Sequence, residues 1–512
     1  GQTGFNALGE ILTGEVNPSA KMVDTYVYDL TQTPTWNNFG NFAYDNVSEF
    51  EIEGATPTFV NYVEGIYVGY KFYETAAAEG LIDYDATVQY PFGYGLSYTT
   101  FTQETGPISE SNGTITFDVT VTNTGDVAGK DVVQVYYNPP YTNGGIEKAS
   151  ANLIAFDKTD MLEPGASQTL TISFDVEDMA SYDTYGAGAY VLEAGDYAIS
   201  INSDAHTAIA SQTYNVPTTI TYGDTSPRST DAVAASNQFA FAEGDVTYLS
   251  RANGFANYDE ATAAPASYSM SDEAKATFLN NSNYDPNNYN NADDVMPTTG
   301  AKNGLKLEDL RGVDYDDPQW DELLDQMTVS EMDTLIAIGG YQTSAINSIG
   351  KVQTIDCDGP ASINNNFTGK GSIGFPAAVM IAATWNVDLA NDFGERIGKM
   401  ADEMGVSGWY APAMNTHRSA FAGRNFEYYS EDGVLGGNMA ASAILGAQEH
   451  GVYAYMKHFA LNDQETNRDV MLCTWANEQS IREIYLKPFE IAVKDGGCQA
   501  VMSSFNYVGT VW

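Results

Sequence analysis

Basic residues, histidine and cysteine are all scarce in this sequence of 512 residues. Against 68 Asp and Glu stand only 22 Lys and Arg, a formal net charge of −46. Such a field repels nucleic acid and anionic membrane, and it favours neutral or cationic partners. The three cysteines, Cys357, Cys473 and Cys498, are too few and too scattered for a disulfide framework or a thiolate zinc site. Their odd number leaves at least one free thiol, so cysteine does not fix the compartment. The four histidines, His206, His417, His450 and His458, lack the His-Glu-x-x-His spacing, which argues against a zinc hydrolase. No run of 18 apolar residues occurs, so no membrane-spanning helix is expected. An initiator Met and a signal-peptide pattern are also missing. The sequence opens Gly-Gln-Thr-Gly just before a helical pattern, which reads as a chain cut or processed inside a domain.

What is there changes character along the chain. Phe5, Leu8, Ile11 and Leu12 at helical spacing, with Gly14 as a stop, predict a short amphipathic helix over residues 4–13. Glycine and aromatic residues crowd 62–73 and 90–101, as in tightly packed loops. From residue 114 to 201 apolar and polar residues alternate: Ile115, Phe117, Val119 and Val121, then Leu170, Ile172, Phe174 and Val176, then Tyr197, Ile199 and Ile201. Turn signals such as Pro164-Gly165 and Gly195-Asp196 separate these runs. Short strands with one apolar face each predict an antiparallel β-sandwich of immunoglobulin or fibronectin-III type. Residues 223–318, rich in Asn, Asp, Ala, Ser and Pro, read as a long connector draped over its neighbours.

Beyond Trp320 helical and strand patterns alternate. Strands are expected at Val352–Ile355, Val379–Ala382, Val406–Tyr410, Val452–Met456 and Ala500–Ser503. Asn386 should cap a helix carrying Leu389, Phe393, Ile397, Met400 and Met404 on one face, with further helices at 433–449 and 480–494. Polar residues at strand ends in a βα series predict a (β/α) barrel or an open α/β sheet. A whole barrel takes about 250 residues and eight strands, so only part of one is expected here.

The richest stretch is 457–468, Lys-His-Phe-Ala-Leu-Asn-Asp-Gln-Glu-Thr-Asn-Arg, directly after the apolar run Val452–Met456. Asp356-Cys357-Asp358-Gly359-Pro360 and Gly423-Arg424-Asn425-Phe426-Glu427 likewise put charge beside small residues after a strand. Arg and Lys donate hydrogen bonds while a carboxylate accepts from two hydroxyls at once, a good cage for vicinal hydroxyls. Phosphate is the rival ligand, but no Gly-rich phosphate loop accompanies these groups.

Those segments, with Ser430-Glu431-Asp432 and Val501-Met502-Ser503-Ser504-Phe505-Asn506, resemble the barrel motifs of glycoside hydrolase family 3, the β-glucosidase and β-xylosidase family. Tyr62-Val63-Glu64-Gly65 and Phe92-Gly93-Tyr94-Gly95-Leu96-Ser97-Tyr98 resemble the tail of that family's α/β-sandwich domain. The implied fold class is multidomain α/β plus all-β. It comprises the C-terminal part of an α/β sandwich domain (1–100), a fibronectin-III-like β-sandwich (101–222), the connector (223–318) and the N-terminal part of a TIM-type (β/α) barrel (319–512). This order is the reverse of most members and is similar to that of members from gut and rumen bacteria.

The resemblance implies that Asp358, Arg424, Lys457 and His458 bind the hydroxyls of the sugar in the cleavage subsite, with Arg468 joining or bracing them. Metal and cofactor are not implied. The family's nucleophilic Asp follows the Met-Ser-x-x-Asn segment, and its general acid precedes a Gly-Gln-x-Gly segment found here at Gly1. Both catalytic carboxylates are therefore expected outside residues 1–512, and the chain alone is expected to be inactive. Glu427, Asp463 and Glu465 are expected instead as ion-pair partners of Arg424, Lys457 or Arg468. The implied reaction is that of an exo-acting retaining β-glucosidase on β-linked oligosaccharides or glucosides. A β-xylosidase and a non-catalytic glycan-binding or scaffold protein are the alternatives. Asn462-Asp463-Gln464-Glu465 departs from the N-acetylglucosamine branch. An extracellular or cell-surface bacterial protein, without nucleic-acid partner or membrane span, completes the expectation, with oligomeric state open.

Overall fold

In the computed structural model, which describes residues 4–49, 56–278 and 285–512, the alternating runs become two facing sheets. Strand Thr114–Asn123 lies between Ser167–Asp175 and Phe101–Thr105, all antiparallel. The second sheet orders Ala208–Val216, Gly195–Asn202, Val132–Asn138 and Asn152–Lys158. Ile115, Phe117, Val119, Val121, Leu170, Ile172, Ile199 and Ile201 share one buried core between them. Each such side chain contributes about 1.5–3 kcal/mol when taken out of water. The period of two thus decides which face turns inward.

The C-terminal part holds four parallel strands in the order Thr354–Cys357, Gly408–Trp409, Tyr453–Phe459 and Ala500–Ser503, with Gln342–Thr343 antiparallel at one edge. Helices Val387–Glu403 and Gly433–Gln448 connect successive strands, and Lys487–Lys494 leads into the last. Asn386 caps the first of these, its side chain accepting from the Leu389 amide. Asp432 caps the second through the Val434 and Leu435 amides.

Several expectations need correction. Residues Val379–Ala382 are not a strand but belong to helix Ala378–Ala382, which buries Ala378, Ile381 and Ala382. A run this short fits either period, and the spacing of three and four places its buried residues on one helical face. The first parallel strand begins at Thr354, two residues later than expected, and Val352 is exposed. Helix Gly4–Leu12 forms, but Phe5, Leu8 and Leu12 are exposed and it buries nothing. Gly1–Thr3 of the opening motif lie outside the described residues. The described residues of 223–318 form short helices and turns and plug neighbouring cores with Leu249, Phe255, Met270 and Phe278.

Strand Leu472–Trp475 had no counterpart in the sequence reading. Leu472–Trp475 leaves the barrel sheet and pairs in parallel with Thr58–Asn61, in a sheet flanked by Phe42–Ala43 and Tyr507–Val508. It stitches the beginning of the chain to its end.

Candidate active site

The polar residues of interest stand at the C-terminal ends of the parallel strands, where βα loops gather. Lys457 and His458 close strand Tyr453–Phe459, and Asp358 follows Thr354–Cys357 directly. Arg424 stands before the short turn Asn425–Glu427, on the loop beyond Gly408–Trp409.

Lys457 is buried and donates to Asp358 Oδ1 at 2.8 Å, while the Asp358 side chain stays 41% exposed. The pair thus offers its carboxylate outward and keeps its ammonium beneath. Burial would raise the Asp358 carboxyl, but Lys457, the Gly359 amide and Arg424 outweigh it and hold the group below its ordinary range. Asp358 is ionised whenever the protein is folded near neutrality.

His458 is clamped on its backbone. Its amide donates to Asn415 Oδ1 at 2.7 Å, and Asn415 Nδ2 donates to its carbonyl at 3.0 Å. The Tyr428 hydroxyl stands 3.2 Å from Nδ1. Burial, followed by the charges of Arg424, Lys457 and Arg468, pushes its pKa down to about 2. The imidazole is therefore neutral, with one N–H to donate and one nitrogen to accept. The Lys457–His458 peptide bond is cis.

Arg424 pairs with the buried Glu427, and Arg468 pairs with Glu465 at 2.8 Å. The Arg468 guanidinium also lies 5.0 Å from the centre of the Phe505 ring. Lys457 contacts Asp358 directly, the charge of Arg424 acts on both Asp358 and His458, and that of Arg468 acts on the imidazole. Two of the three anticipated ion-pair acids take that role, but Asp463 does not. Among the described residues it meets no cation at ion-pair distance. It lies instead 3.0 Å from the Tyr62 hydroxyl, which donates to it, and burial pushes its pKa up to about 7.

Sequence reasoning missed what anchors this rim. Arg418 is fully buried and grips Glu64 with two bonds of 2.6 and 2.9 Å, while donating to the carbonyls of Asn38 and Asn61. Its segment, Asn415-Thr416-His417-Arg418, offered a polar burst just after a strand, the same signal that singled out Lys457.

The comparisons with known proteins bear on this arrangement. Beta-glucosidase A of Butyrivibrio fibrisolvens is 32% identical over 541 residues, covering 99% of this chain and 61% of that protein. A beta-glucosidase of Ruminococcus albus is 32% identical over 537 residues, covering 100% of this chain and 50% of that protein. Residues 360–510 match the domain described as Glycosyl hydrolase family 3 N terminal domain. The chain carries a glycosyl hydrolase family 3 domain. It spans between half and about three-fifths of the length of these two relatives. As in the sequence reading, the family's N-terminal domain comes late in this chain, after a match to the Fibronectin type III-like domain at residues 131–205. A solved beta-glucosidase from Paenibacillus barengoltzii superposes with a TM-score of 0.75 at 27% identity, covering 98% of this chain and 52% of its own.

Proposed function

We propose that the protein is an exo-acting retaining β-glucosidase whose residues Asp358, Arg424, Lys457, His458 and Arg468 hold the glucosyl ring at the cleavage point. The observation that carries this is the Lys457–Asp358 pair set beside a neutral His458 at the barrel rim. Asp358 accepts from two vicinal hydroxyls, Lys457 fixes the carboxylate, and the imidazole and guanidinium groups complete the ring of donors. Held this way, the ring meets oriented charges that cost nothing to reorganise as an oxocarbenium-like state develops. The acids near the cage are committed elsewhere: Asp358 to Lys457, Glu427 to Arg424, Glu465 to Arg468 and Asp463 to Tyr62. None is assigned as nucleophile or proton donor. The names of the similar proteins favour glucose over xylose as the sugar. The acidic surface suits an extracellular or cell-surface location in a bacterium, which cell fractionation with an antibody to the protein tests.

The decisive experiment pairs hydrolysis with binding. Replacing Lys457 by Ala removes a charged hydrogen bond and strands Asp358, a loss of about 3 kcal/mol or roughly a hundredfold. In the full-length protein Lys457→Ala should lower turnover of nitrophenyl β-glucoside by that factor, and in this chain it should weaken glucose binding in calorimetry. Near-normal values in both would overturn the cage. Faster hydrolysis of the xyloside than of the glucoside would overturn the sugar. Glucose binding without hydrolysis by the full-length protein would mark a glycan-binding protein.

A further inference from the structure

The loop that carries Arg424 is closed at its neck and pinned there to an early segment of the chain. The His417 amide donates to the Ser430 carbonyl at 3.0 Å, which draws the two ends of residues 418–429 together. Both ends then bind the segment Val23–Thr25. Ser430 Oγ donates to the Val23 carbonyl at 2.7 Å, and the Glu431 amide donates to Asp24 Oδ1 at 3.1 Å. The same Asp24 oxygen lies 2.7 Å from His417 Nδ1. Glu431 reaches back across the junction, accepting from the Thr25 amide at 2.9 Å, the Thr25 hydroxyl at 2.7 Å and the Tyr70 amide at 2.8 Å.

Two carboxyls and an imidazole thus share one contact, in which His417 and Glu431 are both buried. His417 Nε2 has no hydrogen-bond partner among the described residues, so Asp24 is the polar anchor of the ring. A cavity of about 460 Å3 lies beside it, lined by Asp24, His417, Phe421 and Glu431 among others, and leaves the loop room to shift. Little around the contact offsets its acids. Among the described residues neither Asp24 nor Glu431 pairs with a Lys or Arg. Arg418, next along the chain, is taken up by Glu64 and backbone carbonyls. Asp432, on the other side, accepts from the Tyr70 hydroxyl. Tyr26 and Tyr73 feel these acids as phenols whose pKa burial has already raised, so both stay neutral.

We propose that Asp24, His417 and Glu431 form a proton-dependent clasp on the Arg424 loop, closed in acid and near neutrality and loosened in alkali, which regulates how firmly the site holds its sugar. The inference rests on the β-glucosidase reading and adds the regulation of that same site. Burial alone would lower the His417 pKa, but Asp24 and Glu431 outweigh it and hold it above the ordinary 6.5. Burial, followed by the charge of Asp24, likewise raises Glu431 above its ordinary range. A group raised in the closed state supports closure fully below its ordinary pKa and ceases to do so as pH climbs through the raised one. Each proton that only the closed clasp retains therefore weakens closure about tenfold per pH unit across that window. Once it is lost, the junction holds buried negative charge with no cation to meet it.

Hydrogen exchange of residues 418–427, referred at each pH to the unfolded chain, reads the opening of the loop. From pH 6 to pH 9 opening should rise at least about tenfold more in the parent than in Asp24→Asn, which keeps the shape and removes the charge. Asp463 titrates in both proteins, so the comparison isolates the clasp. Glucose affinity, measured by calorimetry over the same range, should fall in the parent and fall less in the variant. Melting temperatures check folding, and Glu431→Gln replaces Asp24→Asn if that variant does not fold, with the pH response then reduced rather than abolished. An equal rise in opening for parent and variant would overturn the clasp. Opening that follows pH while glucose affinity does not would overturn its regulation of the site. Absence of glucose binding even at pH 6 would instead overturn the β-glucosidase reading, and the regulatory role with it, whatever the exchange shows.

Discussion

Burial costs a charged Asp463 more than Tyr62 and Arg418 return to it. It is buried, its Oδ1 has no hydrogen-bond partner among the described residues, and its pKa rises to about 7 from the ordinary 3.8. Between those values the folded chain holds a proton that the unfolded chain has released. Stability therefore falls as pH climbs through that window, and the full penalty stands above about 7. Asp463→Asn keeps the shape and removes the titration. Its melting temperature should exceed that of the parent by more at pH 8 than at pH 5; a difference independent of pH would show that Asp463 is ionised in the fold. At this scale Lys457, His458 and Arg468 stood out because they crowd into one stretch of twelve residues after an apolar run, whereas Asp358 and Arg424 come from separate loops. The roles of Asp463 and Arg418 were not legible, since Tyr62 lies 401 residues from Asp463 and Glu64 lies 354 from Arg418. No local pattern announces such partners.

Among elements, helices Val387–Glu403 and Gly433–Gln448 pack backbone against backbone at their glycines. A Cβ on Gly394 would stand 2.0 Å from the Ala443 carbonyl oxygen, and one on Gly446 would stand 2.2 Å from that of Asn391. Alanine ordinarily gains about 1 kcal/mol over glycine inside a helix. Here overlap with backbone, about 1–3 kcal/mol or more, decides the sign. Gly394→Ala should lower the urea midpoint. Gly436→Ala in the second helix meets only Tyr429 Cβ at 3.6 Å and should hold or raise it. The same midpoint shift for both would refute the close-packing account. The first of these helices was readable from its Asn386 cap and its long apolar stripe. Residues 379–382 were misread because four apolar residues satisfy a strand and a helix equally, and only packing of Ala378 and Ile381 against the barrel core distinguishes them.

For the whole molecule, Arg418 is one fastening between the early and late parts of the chain. Besides Glu64 and two carbonyls, it lies 4.1 Å from the centre of the Tyr62 ring, and Tyr485 donates to the same Glu64 at 2.7 Å. Arg418→Met would leave Glu64 buried without its cation, a loss of about 3–5 kcal/mol. That should appear as an earlier first transition in urea, with the Arg418→Met/Glu64→Leu pair recovering much of it. If the double variant were as unstable as the single, the stranded charge would not be the cause.

The sheet that joins Thr58–Asn61 to Leu472–Trp475 also sets an order of events during synthesis. Gly40 and its partner Gln464 are separated by 424 positions. A ribosome adding about 5–20 residues per second leaves the early strand without its neighbour for tens of seconds. Through that interval Phe59 and Val60, buried in the finished protein, must wait beside an open edge. The fibronectin-like sheets complete themselves from local partners in the meantime and give the nascent chain a folded body on which that edge can be held.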